Sequence, residues 1–193
     1  GNTITDLVQL TSETHYYGTV KGEEIADYAY NYSTKKNALG TSYIDSIAKT
    51  TSVYYYANQL RANNGATSED AMTSSKTFKT LGITTIADVD QAVITPNLMS
   101  VTYYKGGKGD EIADFSKNYQ VGTSVIKSTS VFFYNPTASQ TGYQRALNAD
   151  TESSMATSLS YKDAKAVNDS SVFYGAGNTI TDLVQLTSET HYY

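Results

Sequence analysis

His15 and His191 are the only imidazoles in the chain, and cysteine is absent. A zinc site, or a nucleophile activated by imidazole, needs several such groups converging on one point. A lone histidine beside two tyrosines on a strand offers only a pairing surface. The acidic pairs Glu23-Glu24 and Asp110-Glu111 invite a calcium or glycosidase reading. Neighbours on a strand point to opposite faces, however, so neither pair can clamp one atom, and both read as solvated turns. Asp88-Val89-Asp90 lacks the glycine and the closing glutamate of a calcium loop. Gly106-Gly107-Lys108-Gly109 resembles a phosphate cradle, yet no helix start follows it, and the first half of the chain has Gly18-Thr19-Val20-Lys21-Gly22 instead; both read as hairpin turns. Asn31-Tyr32-Ser33 and Asn168-Asp169-Ser170 fit the N-glycosylation sequon, which makes Asn31 and Asn168 candidate acceptors. No catalytic residue, metal ligand or cofactor is assigned, and an enzyme is the least favoured class.

The 18 tyrosines are the other chemical resource. In Tyr54-Tyr55-Tyr56 successive rings must fall on opposite faces of a sheet, so at least one faces away from the core. Such rings stack on sugars or fill contacts between modules. Tyr16-Tyr17, Tyr103-Tyr104 and Tyr192-Tyr193 suit module contacts best, and Tyr54, Tyr55, Tyr56 and Tyr134 are the further candidates for junction or glycan contact.

The elements that would position these residues recur. Gly1–Tyr17 is repeated letter for letter as Gly177–Tyr193, a step of 176 residues (177 minus 1). Weaker similarity divides that step: Tyr16-Tyr17 returns as Tyr103-Tyr104, and Lys21–Tyr28 as Lys108–Phe115, both at 87. Lys49–Tyr56 meets Lys127–Tyr134 at 78. A natural repeat and an engineered copy of one end both explain the terminal identity; the phase of the internal repeats favours the natural one. The boundaries follow as 1–10, the last strand of a preceding repeat; 11–98 and 99–186, two modules; and 187–193, the first strand of a following repeat.

Within each module the pattern predicts a hairpin (Thr11–Tyr17, turn, Glu23–Tyr32), an alternating strand at Lys49–Tyr56 or Lys127–Tyr134, and then a change of period. Ser68-Glu69-Asp70-Ala71-Met72 and Thr151-Glu152-Ser153-Ser154-Met155 open as helices do, with a capping residue and acids in the first turn. Closing strands are expected at Ile83–Ala87, Ala92–Leu98, Ser171–Tyr174 and Thr179–Leu186. The fold class expected is α+β and β-rich: two homologous β-grasp-like modules in tandem, each a mixed sheet under one helix. All-β sandwich modules are the alternative if the Met72 and Met155 segments are extended.

Ser100–Thr129 resembles the opening of the mucin-binding-type repeats of Gram-positive surface adhesins, in which a tyrosine-bearing strand, a short turn, G-x-E-I-A and a later G-x-x-Y/V segment follow in this order. The resemblance implies a non-enzymatic stalk or adhesive array on a cell wall, touching glycans. Net charge of -5 argues against nucleic acid and anionic membrane surfaces. The absence of long apolar runs argues against membrane insertion. The function expected is thus a structural or adhesive repeat unit, extracellular and at the cell surface, whose partners are neighbouring repeats, identical subunits or host glycans. Two alternatives stand beside it: a glycan-binding module using exposed tyrosines, and a pilus-like filament subunit assembling by exchange of a terminal strand.

Overall fold

The computed structural model describes residues 5–79 and 97–193. Among these residues ten antiparallel strands form one sheet: β1 (Ser12–Tyr17), β2 (Ile25–Lys36), β3 (Tyr43–Tyr56), β4 (Met72–Lys79), β5 (Leu98–Lys105), β6 (Ile112–Tyr119), β7 (Ile126–Tyr134), β8 (Gln144–Arg145), β9 (Met155–Lys162) and β10 (Leu186–His191). The path is a meander, β1-β2-β3-β4-β5-β6-β7-β9-β10, with the short β8 added to β7.

This overturns the α+β expectation. The segments with helix-like openings are strands β4 and β9, each hydrogen-bonded on both sides. Ser, Thr and β-branched neighbours make these segments poor helices, and the strand register turns alternate residues to the core face, Ser74 and Lys76 on β4 and Thr157, Leu159 and Tyr161 on β9. The acids that mimic a helix start belong to turns. Asp70 accepts the Thr67 N–H (2.8 Å) and hydroxyl (2.9 Å), and Asp150 accepts the Glu152 N–H (3.0 Å). The sandwich alternative is corrected as well, since the extended segments join a single sheet in place of two facing ones. Ser171–Tyr174 and Thr179–Gln185 are connecting chain with one bridge, Tyr174 to Ile180, and not strands. The expected strands Ile83–Ala87 and Ala92–Leu98, apart from Leu98, lie outside the described residues.

Directly paired residues share a face, so the sheet can be read across its strands. One face carries the series Tyr28, Val53, Lys76, Val101, Lys117 and the series Tyr103, Phe115, Val131, Leu159, Glu189. The core lies on this face. In the second half Val131, Phe133, Leu159, Tyr161 and Phe173 cluster, sheltered by Tyr143, Val167, Tyr174 and Ile180 from the chain that crosses over the sheet. In the first half Val53, Tyr55 and Phe78 form the corresponding cluster with Tyr28 and Leu98. The opposite face is paved with hydroxyls: Ser52, Thr77, Ser100, Asn118, Ser128 in one row and Ser75, Thr102, Ser116, Ser130, Ser160, Ser188 in the next. Side-chain bonds knit these rows, Ser130 to Ser160 at 3.2 Å and Asn118 to Ser128 at 3.1 Å among them.

The strand pairing corrects the sequence phase by one residue. His15 and Tyr16 pair Tyr28 and Ala26, while Tyr103 and Tyr104 pair Phe115 and Ala113. Tyr16 is therefore the counterpart of Tyr104, 88 residues on, and Tyr104 of Tyr192, again 88. The contacts agree. The His15 ring stacks on Tyr28 at 4.3 Å as Tyr103 stacks on Phe115 at 4.5 Å, and Ser75 meets the Tyr104 hydroxyl at 3.1 Å as Ser158 meets Tyr192 at 3.2 Å. Paired aromatic letters carried the sequence alignment one position off, because identity of type outweighed the register that a bulge displaces.

Candidate functional site

Two matching constellations hold the repeat together. Between the pairs His15–Tyr28 and Tyr16–Ala26 the ladder skips Asp27; between Tyr103–Phe115 and Tyr104–Ala113 it skips Asp114. Each aspartate is thus the extra residue of a β-bulge, which re-aims its side chain out of the strand's alternation. An arginine meets it. Arg61 donates from Nε to Asp27 Oδ1 (3.1 Å) and from Nη2 to Oδ2 (2.6 Å). Arg145 does the same to Asp114, Nε to Oδ1 at 3.0 Å and Nη2 to Oδ2, and adds Nη1 to the Asn168 carbonyl at 2.7 Å. All four side chains are buried. The residue before each aspartate is fastened too: the Tyr56 hydroxyl donates to the Ala26 carbonyl (2.7 Å) and the Tyr134 hydroxyl to Ala113 (2.6 Å). Burial pushes both phenols up to about 12.

Although Asp27 and Asp114 align at a step of 87 residues, local sequence pattern does not point to Arg61 and Arg145. A signal was present: they are the chain's only arginines, and each is followed by alanine. In a bidentate pair of fixed geometry, arginine cannot be exchanged for lysine.

At the junction between the halves, β4 and β5 pair through Ser74–Tyr103 to Phe78–Leu98, so the sheet runs on without a break. Glu111 ties the two sides: Oε2 accepts the Gly109 N–H in its own turn (2.9 Å) and Oε1 accepts the Met72 N–H across the junction (2.9 Å). Lys108 reaches Glu69 at 3.4 Å. In the first half Glu24 makes the same turn contact, to Gly22 N–H at 2.7 Å. Glu24 and Glu111, one from each acidic pair, thus serve turns and a junction, and among the described residues no cluster of three or more potential metal ligands exists. His15 lies 2.8 Å from Glu13 and His191 3.3 Å from Glu189, at the two edges of the sheet.

The tyrosines divide. Tyr55, Tyr56 and Tyr134 are buried, and Tyr103 is committed to its stack on Phe115. Tyr16, Tyr54, Tyr104, Phe132 and Tyr192 instead lie on the hydroxyl-bearing face, on alternate strands of the meander. Small residues fall between them: Ala26, Ser75, Ala113 and Ser158. At about 4.8 Å per strand this row spaces its rings roughly 9.6 Å apart. Tyr17 and Tyr193 are exposed beyond it. Asn31 donates its amide to Thr50 (3.2 Å) and Ser52 (3.3 Å) in mid-sheet, whereas Asn168 sits in an exposed turn where its Oδ1 accepts from Ser170. Asp88-Val89-Asp90 lies outside the described residues.

Comparisons with protein-family models, with curated proteins and with solved structures found no match for this chain.

Proposed function

We propose that the chain is a non-enzymatic structural repeat of an extended single-sheet array, borne outside the cell as a stalk or adhesive fibre. The observation that carries this reading is the recurrence of strand register, bulge and arginine pin along one unbroken sheet, Asp27 with Arg61 in the first half being answered by Asp114 with Arg145 in the second. A fold written this way lengthens by addition of copies, each burying its edge against the next, and needs no unique pocket. The hydroxyl-paved outer face and the resemblance to adhesin repeats support an extracellular setting.

A chain carrying one further period of 176 residues tests it. Each period contributes eight strands to the path, β1 to β9 without β8. At about 4.8 Å per strand the long dimension should grow by roughly 38 Å. Small-angle scattering would show that increase with an unchanged cross-section; two compact bodies on a linker, or a rounder particle, would overturn the reading.

A second reading is favoured by the aromatic row. Rings on alternate strands with hydroxyls between them suit a flat, extended glycan lying across the strands. Alanine at Tyr54, Tyr104 and Phe132 would then abolish capture on a glycan array, while Tyr55→Phe, on the core face, would leave it unchanged. No capture by the parent chain removes this second reading.

A further inference from the structure

The two edges of the sheet are the same sequence, and they use opposite halves of its backbone. At one edge Tyr32 donates its N–H to the Thr11 carbonyl (2.8 Å), and the register then runs without a break to His15–Tyr28. Bonded pairs alternate in an antiparallel ladder, so Glu13 and His15 turn their backbone groups to β2. At the other edge Tyr192 donates to the Ala156 carbonyl (2.9 Å), and the register runs back unbroken to Ser188–Ser160. There Ser188 and Thr190 face β9, which leaves Glu189 and His191, the counterparts of Glu13 and His15, directed to the open side. Across these unbroken registers no ladder group is engaged in both places. One strand can therefore complete β9 on its left and β2 on its right.

The junction inside the chain shows which side chains would meet at such a joint. There Met72 N–H donates to Glu111 and Lys108 approaches Glu69. The counterparts of Glu69 and Met72 are Glu152 and Met155, 83 residues on; those of Lys108 and Glu111 are Lys21 and Glu24, 87 residues back. Every residue type is kept. A Lys21 on one copy matches a Glu152 on another, and a Glu24 matches a Met155 N–H.

We propose that two copies of this chain join head to tail, with β10 of one copy taking the place of β1 against β2 of the next, and with Lys21 facing Glu152 and Glu24 accepting from Met155. The joint is heterologous and does not close, so it propagates as a filament. One β1 is released for each joint made, and the number of paired strands is unchanged. Assembly is consequently slow and strongly concentration-dependent, because β1 must first peel away from β2. The inference rests on the repeat-array reading.

Disulfide trapping reads it directly, since the chain has no cysteine of its own. Thr14 faces Ala29 in β2, as a non-hydrogen-bonded pair whose Cα atoms typically lie about 4.5 Å apart, within reach of a disulfide. Thr190 replaces Thr14 in the joint. In the full chain, A29C/T190C should give a ladder of covalent dimers and higher oligomers on oxidation, whereas A29C/E189C, with its second thiol on the other face, should not. Adding Lys21→Glu to the first variant should lower the ladder several-fold, and adding Glu152→Lys as well should restore it; circular dichroism checks that each variant stays folded. No ladder from A29C/T190C, or equal ladders from both pairs, overturns the inference. If a two-period chain lengthens as described while trapping fails, the array reading stands and only the joint between separate copies is lost.

Discussion

Arg61 lays the edge of its guanidinium along the Asp27 carboxylate, Nε 3.1 Å from Oδ1 and Nη2 2.6 Å from Oδ2, with side-chain exposures of 1 % and 6 %. The carboxylate is displaced from the strand by the bulge, so the arginine closes a gap that the regular ladder would not contain. Removing one partner leaves a buried charge without its counterion, which costs about 3–5 kcal/mol. Arg61→Met and Asp27→Leu alone should each lower the denaturation midpoint steeply. The double variant D27L/R61M should recover most of the loss, because a pair replaced by apolar groups of similar volume is often neutral. Chemical denaturation of the three variants checks this.

The same test in the second half uses Arg145→Lys. Lysine keeps the charge but loses the two parallel donors and the Asn168 carbonyl contact. The expected loss is about 2 kcal/mol, within the range for hydrogen bonds to charged groups. A change below about 0.5 kcal/mol would show that charge alone suffices.

Tyr56 and Tyr134 give the fold a defined alkaline limit. Burial raises both phenols from 10.0 to about 12, so the folded state holds these protons more tightly than the unfolded chain. Their contribution is fully present below pH 10 and is lost as pH rises towards 12. Stability measured against pH should be flat across neutrality and fall through that window. Tyr56→Phe and Tyr134→Phe should flatten the fall, and at pH 7 each should cost about 1 kcal/mol for the lost bond to the Ala26 or Ala113 carbonyl.

Gly106 stands where only glycine fits. Its φ is +123°, and a Cβ there would lie 2.2 Å from the Asp110 carbonyl oxygen. Its counterpart Gly18, 88 residues earlier, has φ +150° and a Cβ position 2.9 Å from the Glu24 Cα. Gly107 next door has open space around it. Gly106→Ala should destabilise by about 2 kcal/mol or more, and Gly107→Ala should be nearly neutral. Thermal melts of the pair separate a backbone requirement from a general intolerance of the turn.

Phe173, on the chain that crosses the core face, is 2 % exposed and packs edge-on to Phe133 at 5.9 Å. Phe173→Ala should cost about 3–5 kcal/mol. Val172→Ala, at an adjacent exposed position, should cost almost nothing. Equal effects would mean that the crossing segment contributes by chain connectivity and not by packing.

Sequence alone determined that residues 1–17 return at 177–193 with weaker similarity between them, and it placed the hairpin turns, because glycine at positive φ and alternation of polar and apolar letters are local properties. It could not decide the fate of Met72–Lys79 and Met155–Lys162, where a helix-like opening and a period of two compete. Hydrogen-bonding edges offered by β3 and β5 on one segment, and by β7 and β10 on the other, settled them as strands. Nor could it pair Arg61 with Asp27 across 34 residues, or set Tyr16 opposite the right neighbour. A bulge shifts register by one, and its position follows from which side chain must reach a buried partner. That choice exists only once strands distant in the chain lie side by side.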